Sequence, residues 1–290
     1  MIESRKSVRL ALPKGSMEAA VFDLLDDAGI RIHAPSRGYR PAVSLPGFEA
    51  KILRPQNIVE MLVIGSRDIG FAGLDWASEL GAESLVELLD TGMDPVKLVA
   101  AAPDSLLEDG RLPGRRLVVA SEYETLTRKW IRAKGIDATF IRSYGATEVF
   151  PPEDADLIVD NTATGSTLRE NQLTIVDELM ISSTRLYAGP AALKEPAKKE
   201  RIDELVLLLG SVLEARRRVM VEVNVSADHL EAVVAVLPCM REPTLSPLHG
   251  GAGYAVKAAV PRELLPQVIP EIKRRGGTDI VVVNLSQIVP

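Results

Sequence analysis

The sequence predicts an α/β body followed by a smaller split βαββαβ domain. Three observations carry that prediction. Short apolar runs rich in β-branched residues alternate with helical stretches from Val8 to Ala188. One long amphipathic helix follows, from Ala197 to Arg217. Beyond it, strands and helices come in the order strand, helix, strand, strand, helix, strand.

The elements follow in chain order. Val8 to Leu12 is a strand closed by Pro13, and Lys14-Gly15-Ser16 is the turn after it. A helix with Ala20, Val21, Leu24 and Leu25 on one face ends at Gly29. Lys51 to Arg54 is a strand, and Pro55 opens the next helix. Asp68 to Phe71, Val96 to Ala102, Leu117 to Ala120, Ala138 to Arg142, Leu157 to Val159 and Arg185 to Ala188 are further strands. A helix covers Tyr123 to Ala133, and another starts over Leu168 to Leu173. In the C-terminal region the strands are Val219–Val225, Thr244–Leu248, Tyr254–Val260 and Ile280–Leu285. The helices there are Ser226–Leu237 and Pro261–Arg275, which makes a ferredoxin-like split motif.

Composition narrows the function. At 290 residues the chain has room for two or three domains. A net charge of −6 argues against a nucleic-acid or acidic-membrane partner. Cys239 is the only cysteine, so no internal disulfide forms, which suits a reducing cytoplasm. The N-terminus is polar and no apolar run approaches ~20 residues, so neither an export signal nor a membrane span is expected. Three histidines and one cysteine make no standard zinc set, and no protein-only metal site is expected.

Residues 157–168, Leu-Ile-Val-Asp-Asn-Thr-Ala-Thr-Gly-Ser-Thr-Leu, are the most informative stretch. A strand, a hydroxyl-rich turn and a helix start make an anion cradle, because backbone N–H groups converge and Gly165 permits close approach. Thr164, Ser166 and Thr167 add hydroxyls. Asp160, just before the cradle, suits vicinal sugar hydroxyls. Acid first and cradle second is the order that holds a ribose 5-phosphate. The pattern resembles the phosphoribosyl-pyrophosphate loop of phosphoribosyltransferases, in which two acids commonly precede the turn; here Asn161 takes the second place. An ordinary capped strand–turn–helix junction has the same local form.

Further segments occur in order: Leu10-Ala11-Leu12-Pro13-Lys14-Gly15, Arg54-Pro55, Asp68-Ile69-Gly70-Phe71-Ala72-Gly73-Leu74-Asp75, Gly145-Ala146-Thr147-Glu148-Val149, the Asp160 loop, and Glu242-Pro243-Thr244-Leu245-Ser246-Pro247-Leu248. Together they resemble the ATP phosphoribosyltransferase family in its long form, over nearly the whole chain. Ser16 stands where many members carry Arg, Asn161-Thr162 replaces a more apolar pair, and Glu242 replaces a small polar residue.

The resemblance implies a two-lobed, periplasmic-binding-protein-like catalytic body, with lobe I in 1–98 and 184–217 and lobe II in 99–183. It implies a ferredoxin-like regulatory domain in 218–290. Adenine N1 of ATP would displace pyrophosphate from phosphoribosyl pyrophosphate, with Mg²⁺ as cofactor and no nucleophilic side chain required. Asp160, Asn161, Thr162, Ala163, Thr164, Gly165, Ser166 and Thr167 would bind phosphoribosyl pyrophosphate. Lys14, Gly15, Arg54, Gly73, Asp75 and Glu148 would bind ATP or its phosphates. By residue chemistry alone, Lys14 reads first as a surface turn lysine, and Arg54 is equally a structural ion-pair partner, for instance of Asp75. Asp75 and Glu148 are equally structural carboxylates. Asn224, Met240, Glu242, Thr244 and Asp279 would bind L-histidine as feedback inhibitor, with the strands carrying Asn224 and Thr244 side by side. A homo-oligomer, from dimer to hexamer, is implied. The same two-lobed body could also clamp a small ligand without chemistry, or serve another base.

Overall fold

The computed structural model describes residues 7–33 and 38–289. The chain divides into two compact units, Met1–Asp23 with Ile30–Glu204, and Leu24–Gly29 with Leu205–Pro290. The division therefore falls inside the long helix, upstream of the boundary at 218 expected from the sequence.

The first unit is built on one eight-stranded sheet. Its elements are β1 (Val8–Pro13), α1 (Glu18–Asp27, of which the part from Leu24 belongs to the second unit), β2 (Ile32–His33), β3 (Ala42–Val43), β4 (Phe48–Leu53), α2 (Pro55–Val63), β5 (Ile69–Gly73), α3 (Leu74–Glu79) and β6 (Val86–Pro103). Then come β7 (Leu117–Ser121), α4 (Glu124–Lys134), β8 (Ala138–Arg142), β9 (Leu157–Thr162), α5 (Ser166–Glu170), β10 (Leu173–Ala188) and α6 (Pro196–Arg217), of which α6 continues into the second unit. The strand order is β4-β1-β5-β10-β6-β9-β7-β8. β4, β1 and β5 are mutually parallel, as are β9, β7 and β8. β10 and β6 run antiparallel to each other between these halves, with register shifts around Ser182 to Arg185.

The buried strands explain themselves by burial on both faces. β5 is buried at every position, and β1 at all but Arg9. Arg9 reaches Asp68, which also accepts from the buried Lys198, so the acid is compensated from two sides. Pro55 sits in the first turn of α2, where its missing N–H loses no bond. Gly135 closes α4 in the left-handed conformation.

Two long strands depart from the sequence reading. β6 begins at Val86, well before Val96, and β10 begins at Leu173. The helix expected over Leu168 to Leu173 is the short Ser166–Glu170 instead. Thr174, Ile175, Val176 and Ile181 favour extended backbone, and pairing with β6 overrides the helical pattern.

The second unit carries β11 (Arg218–Val225), α7 (Leu230–Val234), β12 (Thr244–Pro247), β13 (Tyr254–Pro261), α8 (Leu265–Arg274) and β14 (Thr278–Asn284). The sheet is antiparallel with order β12-β13-β11-β14. Burial alternates along β11, and Val219, Val221, Val223 and Val225 pack with Val256, Val233, Val268 and Ile272. The helix expected over Ser226–Leu237 is a 3₁₀ turn at Ala227–His229 plus the short α7. Among the described residues no helix is long and apolar enough to cross a membrane.

Candidate active site

Register brings two sets of strand ends to one place. Gly73, closing β5, pairs with Thr184; Ser182 pairs with Val96; Thr162, closing β9, pairs with Lys97. The carboxyl ends of both parallel halves therefore converge where β6 and β10 cross from one half to the other. Such edges are where open α/β sheets bind ligands. A cleft of about 500 Å³ opens there, lined by Ser16, Pro55, Gly73, Trp76, Asn161 and Thr164 and by crossover residues 94–96 and 182–184.

The loop after β9 is organised by its own hydroxyls. Thr162 Oγ1 accepts from Gly165 N at 2.9 Å, and Thr164 Oγ lies 3.0 Å from Ser166 Oγ. Gly165 has φ +73°, which a β-branched residue resists. The first N–H groups of α5 have no partner within the helix; that of Ser166 is met by Thr164 Oγ1 at 3.4 Å. Arg169 Nη1 donates to Thr164 O at 3.0 Å, holding a cation beside the loop. The sequence reading missed Arg169, although its place four residues after Gly165 was the available signal.

Asp160 is half-buried within β9, which runs on to Thr162 instead of ending at Val159 as the sequence suggests, and Asn161 N donates to its Oδ1 at 2.7 Å. Burial pushes its carboxyl up to about 7; the Asn161 N–H opposes this, and the charges of Glu148 and Glu122 add to it. Glu148 lies in a 3₁₀ turn, Thr147–Val149, whose approach is fixed by a buried Ser143–Thr147 hydroxyl pair at 2.7 Å.

Lys14 and Arg54 leave adjacent strands side by side, because Pro13 pairs with Leu53. Both are exposed. Lys14 Nζ lies 3.3 Å from Tyr39 Oη and 5.0 Å from the ring centre. Gly15 follows with φ +100°. Arg54 has no ion-pair partner among the described residues, so the pairing with Asp75 weighed from the sequence is not formed. Its neighbour Pro55 lines the cleft.

Asp75 is 4% exposed and committed elsewhere. Its Oδ2 accepts from Tyr123 Oη at 2.7 Å and its Oδ1 from Ser182 Oγ at 2.9 Å. A Cβ on Gly73 would collide with Asp75 Oδ1, so this turn requires glycine. Tyr123 also accepts from Asn161 Nδ2 at 2.7 Å and stacks on Trp76, centroids 4.5 Å apart. Burial and then the Asp75 charge raise the Tyr123 phenol, keeping it protonated. Tyr123 and Ser182 were not foreseen, since nothing local marks partners so far apart in the chain.

In the second unit the five expected effector residues do not form one group. Asn224 Nδ2 donates to Asp279 Oδ2 at 3.1 Å, and Asp279 is in the left-handed region with φ 46°. Thr244 instead pairs with Lys257 of β13, and β13 separates β12 from β11. The strands carrying Asn224 and Thr244 are therefore not adjacent. Met240 and Glu242 are exposed on the segment leading into β12. Among the described residues no three His, Cys, Asp or Glu side chains are grouped to hold a metal.

Comparison with known proteins agrees with this architecture. The family model of ATP phosphoribosyltransferase matches residues 54–211, and that of its C-terminal domain, "HisG, C-terminal domain", matches 215–287. An ATP phosphoribosyltransferase of Pelotomaculum thermopropionicum is 37% identical, covering 98% of this chain and 99% of that one. One from Chlorobium luteolum is 34% identical over the whole of both. A solved ATP phosphoribosyl transferase (HisG:HisZ) complex from Thermotoga maritima aligns with TM-score 0.63 at 28% identity, covering 71% of this chain and 98% of that one.

These matches define a glycosyltransferase that moves a pentosyl group. The chain belongs to the ATP phosphoribosyltransferase family, whose reaction is the first step of histidine biosynthesis. In that reaction adenine N1 of ATP displaces pyrophosphate from phosphoribosyl pyrophosphate.

Proposed function

We propose that the crossover cleft is where this reaction occurs, and that residues 160–167 hold phosphoribosyl pyrophosphate. The observation that carries the reading is Asp160 within β9, two residues before the strand gives way to the turn closed by Thr162 and Gly165, with Asn161, Ala163 and Thr164 lining the cleft. Asp160, as carboxylate, accepts from the ribose hydroxyls. The N–H and hydroxyl groups of Thr164, Ser166 and Thr167 take the 5-phosphate. Asn161, Thr162, Ala163 and Gly165 shape the turn. Lys14 and Arg54, with Gly15 turning the chain, face polyphosphate from the opposite edge. Gly73 and Asp75 form the floor, and Glu148 approaches the ribose side.

Mg²⁺ is the proposed cofactor. The acidic field at Asp160, Glu148 and Glu122 fits a divalent cation arriving on substrate oxygens. When bound, it neutralises the departing pyrophosphate. The chain's own residues position the two anions so that adenine N1 lies in line with the breaking bond.

The body is two-lobed and periplasmic-binding-protein-like, with lobe I in 1–98 and 184–217 and lobe II in 99–183. The exchange of partners along β6 and β10 supports this division. Residues 218–290 form a ferredoxin-like domain, which the strand order β12-β13-β11-β14 supports, and its proposed role is regulation by bound L-histidine. Asn224 and Asp279 form the core of that effector patch, with Met240, Glu242 and Thr244 beyond β13. Inhibition follows if histidine binds the inactive state more tightly. The protein is cytoplasmic and works as a homo-oligomer; the Thermotoga maritima relative, solved as a HisG:HisZ complex, supports assembly.

The test is turnover with ATP, phosphoribosyl pyrophosphate and Mg²⁺, followed through pyrophosphate and a new adenine chromophore. The Asp160→Asn protein, still folded, should lose use of phosphoribosyl pyrophosphate. Near-normal turnover in that variant removes the loop assignment.

A further inference from the structure

The hydrogen-bond chain beneath the loop has a direction set by proton count. Asp75, buried at 4% exposure, accepts from Ser182 on one oxygen and from Tyr123 on the other. A phenol has one proton, and Tyr123 spends it on Asp75. Whatever lies 2.7 Å from the phenol oxygen on its other side must therefore donate. The Asn161 amide does so; a carboxylate there would meet an oxygen that has no proton left to give. Tyr123 is 1% exposed and stacked on Trp76, so the ring has no room to turn away.

The chain joins separate parts of the first unit. Asn161 is the penultimate residue of β9, Tyr123 follows β7, Asp75 lies in the first turn of α3, and Ser182 lies at the β10 crossover. Asp75 N also donates to Ser182 Oγ at 3.0 Å, closing that end. The loop that begins at Asp160 is thus anchored through its second residue to the crossover.

We propose that Asn161 is a positioning residue for phosphoribosyl-pyrophosphate binding: it is the required donor at the head of the Asn161–Tyr123–Asp75–Ser182 chain. This rests on reading residues 160–167 as the phosphoribosyl-pyrophosphate loop. The amide stands where the family carries a more apolar residue, and it gives this chain a donor to the Tyr123 phenol oxygen there.

The titratable neighbours are Tyr123 and Asp75 within the chain and Asp160 beside it, with Glu148 and Glu122 acting on Asp160. On the adjoining stretch of β6, Lys97 is engaged by Glu178, and Asp94 accepts from Thr184 Oγ1.

The experiment measures KM for phosphoribosyl pyrophosphate in the full chain across about pH 6 to 8.5, each variant divided by wild type at the same pH to remove the titration of Asp160. Asn161→Asp should raise KM by about tenfold or more at the alkaline end. The ratio should narrow as pH falls, because the protonated carboxyl donates as the amide does. Should Asn161→Asp fail to fold, Asn161→Leu and Tyr123→Phe carry the test. Each should raise KM, and the double variant should raise it no further than the worse single one. A pH-independent ratio, wild-type KM in the Asn161 variants, or additive single effects overturns the proposal. Asp160→Asn is run alongside. If it is impaired while the Asn161 variants are not, the loop reading stands and the positioning role falls. If Asp160→Asn itself behaves as wild type, the loop reading fails and takes this inference with it.

Discussion

The two sets of strand ends that meet at the cleft differ in sign. On the β4-β1-β5 side, Lys14 and Arg54 leave their strands exposed, while the acid after β5, Asp75, is buried and taken up by Tyr123 and Ser182. On the β9-β7-β8 side stand Glu122 and Asp160, with Glu148 close by, and Asp160 is pushed up to about 7 by burial and its acidic neighbours. A single anion would not need both. One edge suits polyphosphate, and the other suits sugar hydroxyls, a phosphate cradled by N–H groups, and a cation. The difference teaches that, if the cleft is the site proposed, its two edges are suited to different parts of the substrates.

The largest way to break this division is Asp160→Asn. It replaces a charged acceptor of two hydroxyls, so kcat/KM for phosphoribosyl pyrophosphate should fall by ~100-fold or more. Stability should move the other way. A carboxyl raised from its ordinary value to about 7 binds its proton more tightly in the folded state, so stability is lost as pH rises through that window. Asp160→Asn should therefore melt higher than wild type above pH 7, by ~2 °C or more, and the gain should vanish below about pH 4. Thermal melts at both pH values check this; a lower melting temperature at alkaline pH contradicts it.

Comparable in size is Gly165→Val. Its φ of +73° strains a β-branched residue by about 1–2 kcal/mol, and its Cβ would meet Arg169 Nη1 at 3.0 Å. Calorimetry should show phosphoribosyl pyrophosphate binding weakened by more than ~100-fold. Thr167→Ala removes one hydroxyl donor to a charged ligand and should cost about 1.5–3 kcal/mol at most. Equal affinity in both variants would put the cradle elsewhere.

The acidic edge should also impose a pH limb. If only ionised Asp160 accepts from the sugar, KM for phosphoribosyl pyrophosphate rises about tenfold per pH unit below 7 and is flat above it. That limb should be absent from Asp160→Asn; its persistence assigns it to another group. The smallest effect belongs to the second unit. Asn224→Ala and Asp279→Ala should each weaken inhibition by L-histidine while leaving uninhibited turnover unchanged. Undiminished inhibition in both variants separates this patch from regulation.

Legibility in the sequence followed locality. The 157–168 segment and the turns after β1 and β4 are contiguous, so the residue order displayed the strand–turn–helix succession, although β9 runs on to Thr162 beyond the expected Val159. β10 was not legible beyond its last residues, because sheet pairing decided a stretch whose local pattern is ambiguous. Tyr123–Asp75 and Ser182–Asp75 join residues 48 and 107 apart, and no local pattern records such contacts. Asn224 and Thr244 were expected on neighbouring strands, but β13 inserts between them. Strand order is a property of the whole βαββαβ unit, which spacing along the chain does not reveal.

The division of labour is tested most directly by offering the two halves of the substrate separately. Calorimetry would titrate ribose 5-phosphate and inorganic pyrophosphate, each with Mg²⁺, into wild type, Asp160→Asn and Arg54→Ala. The account predicts a reciprocal pattern: Asp160→Asn loses ribose 5-phosphate and keeps pyrophosphate, and Arg54→Ala does the reverse. If both variants weaken both ligands alike, or neither is weakened, the two edges do not divide the substrate as described.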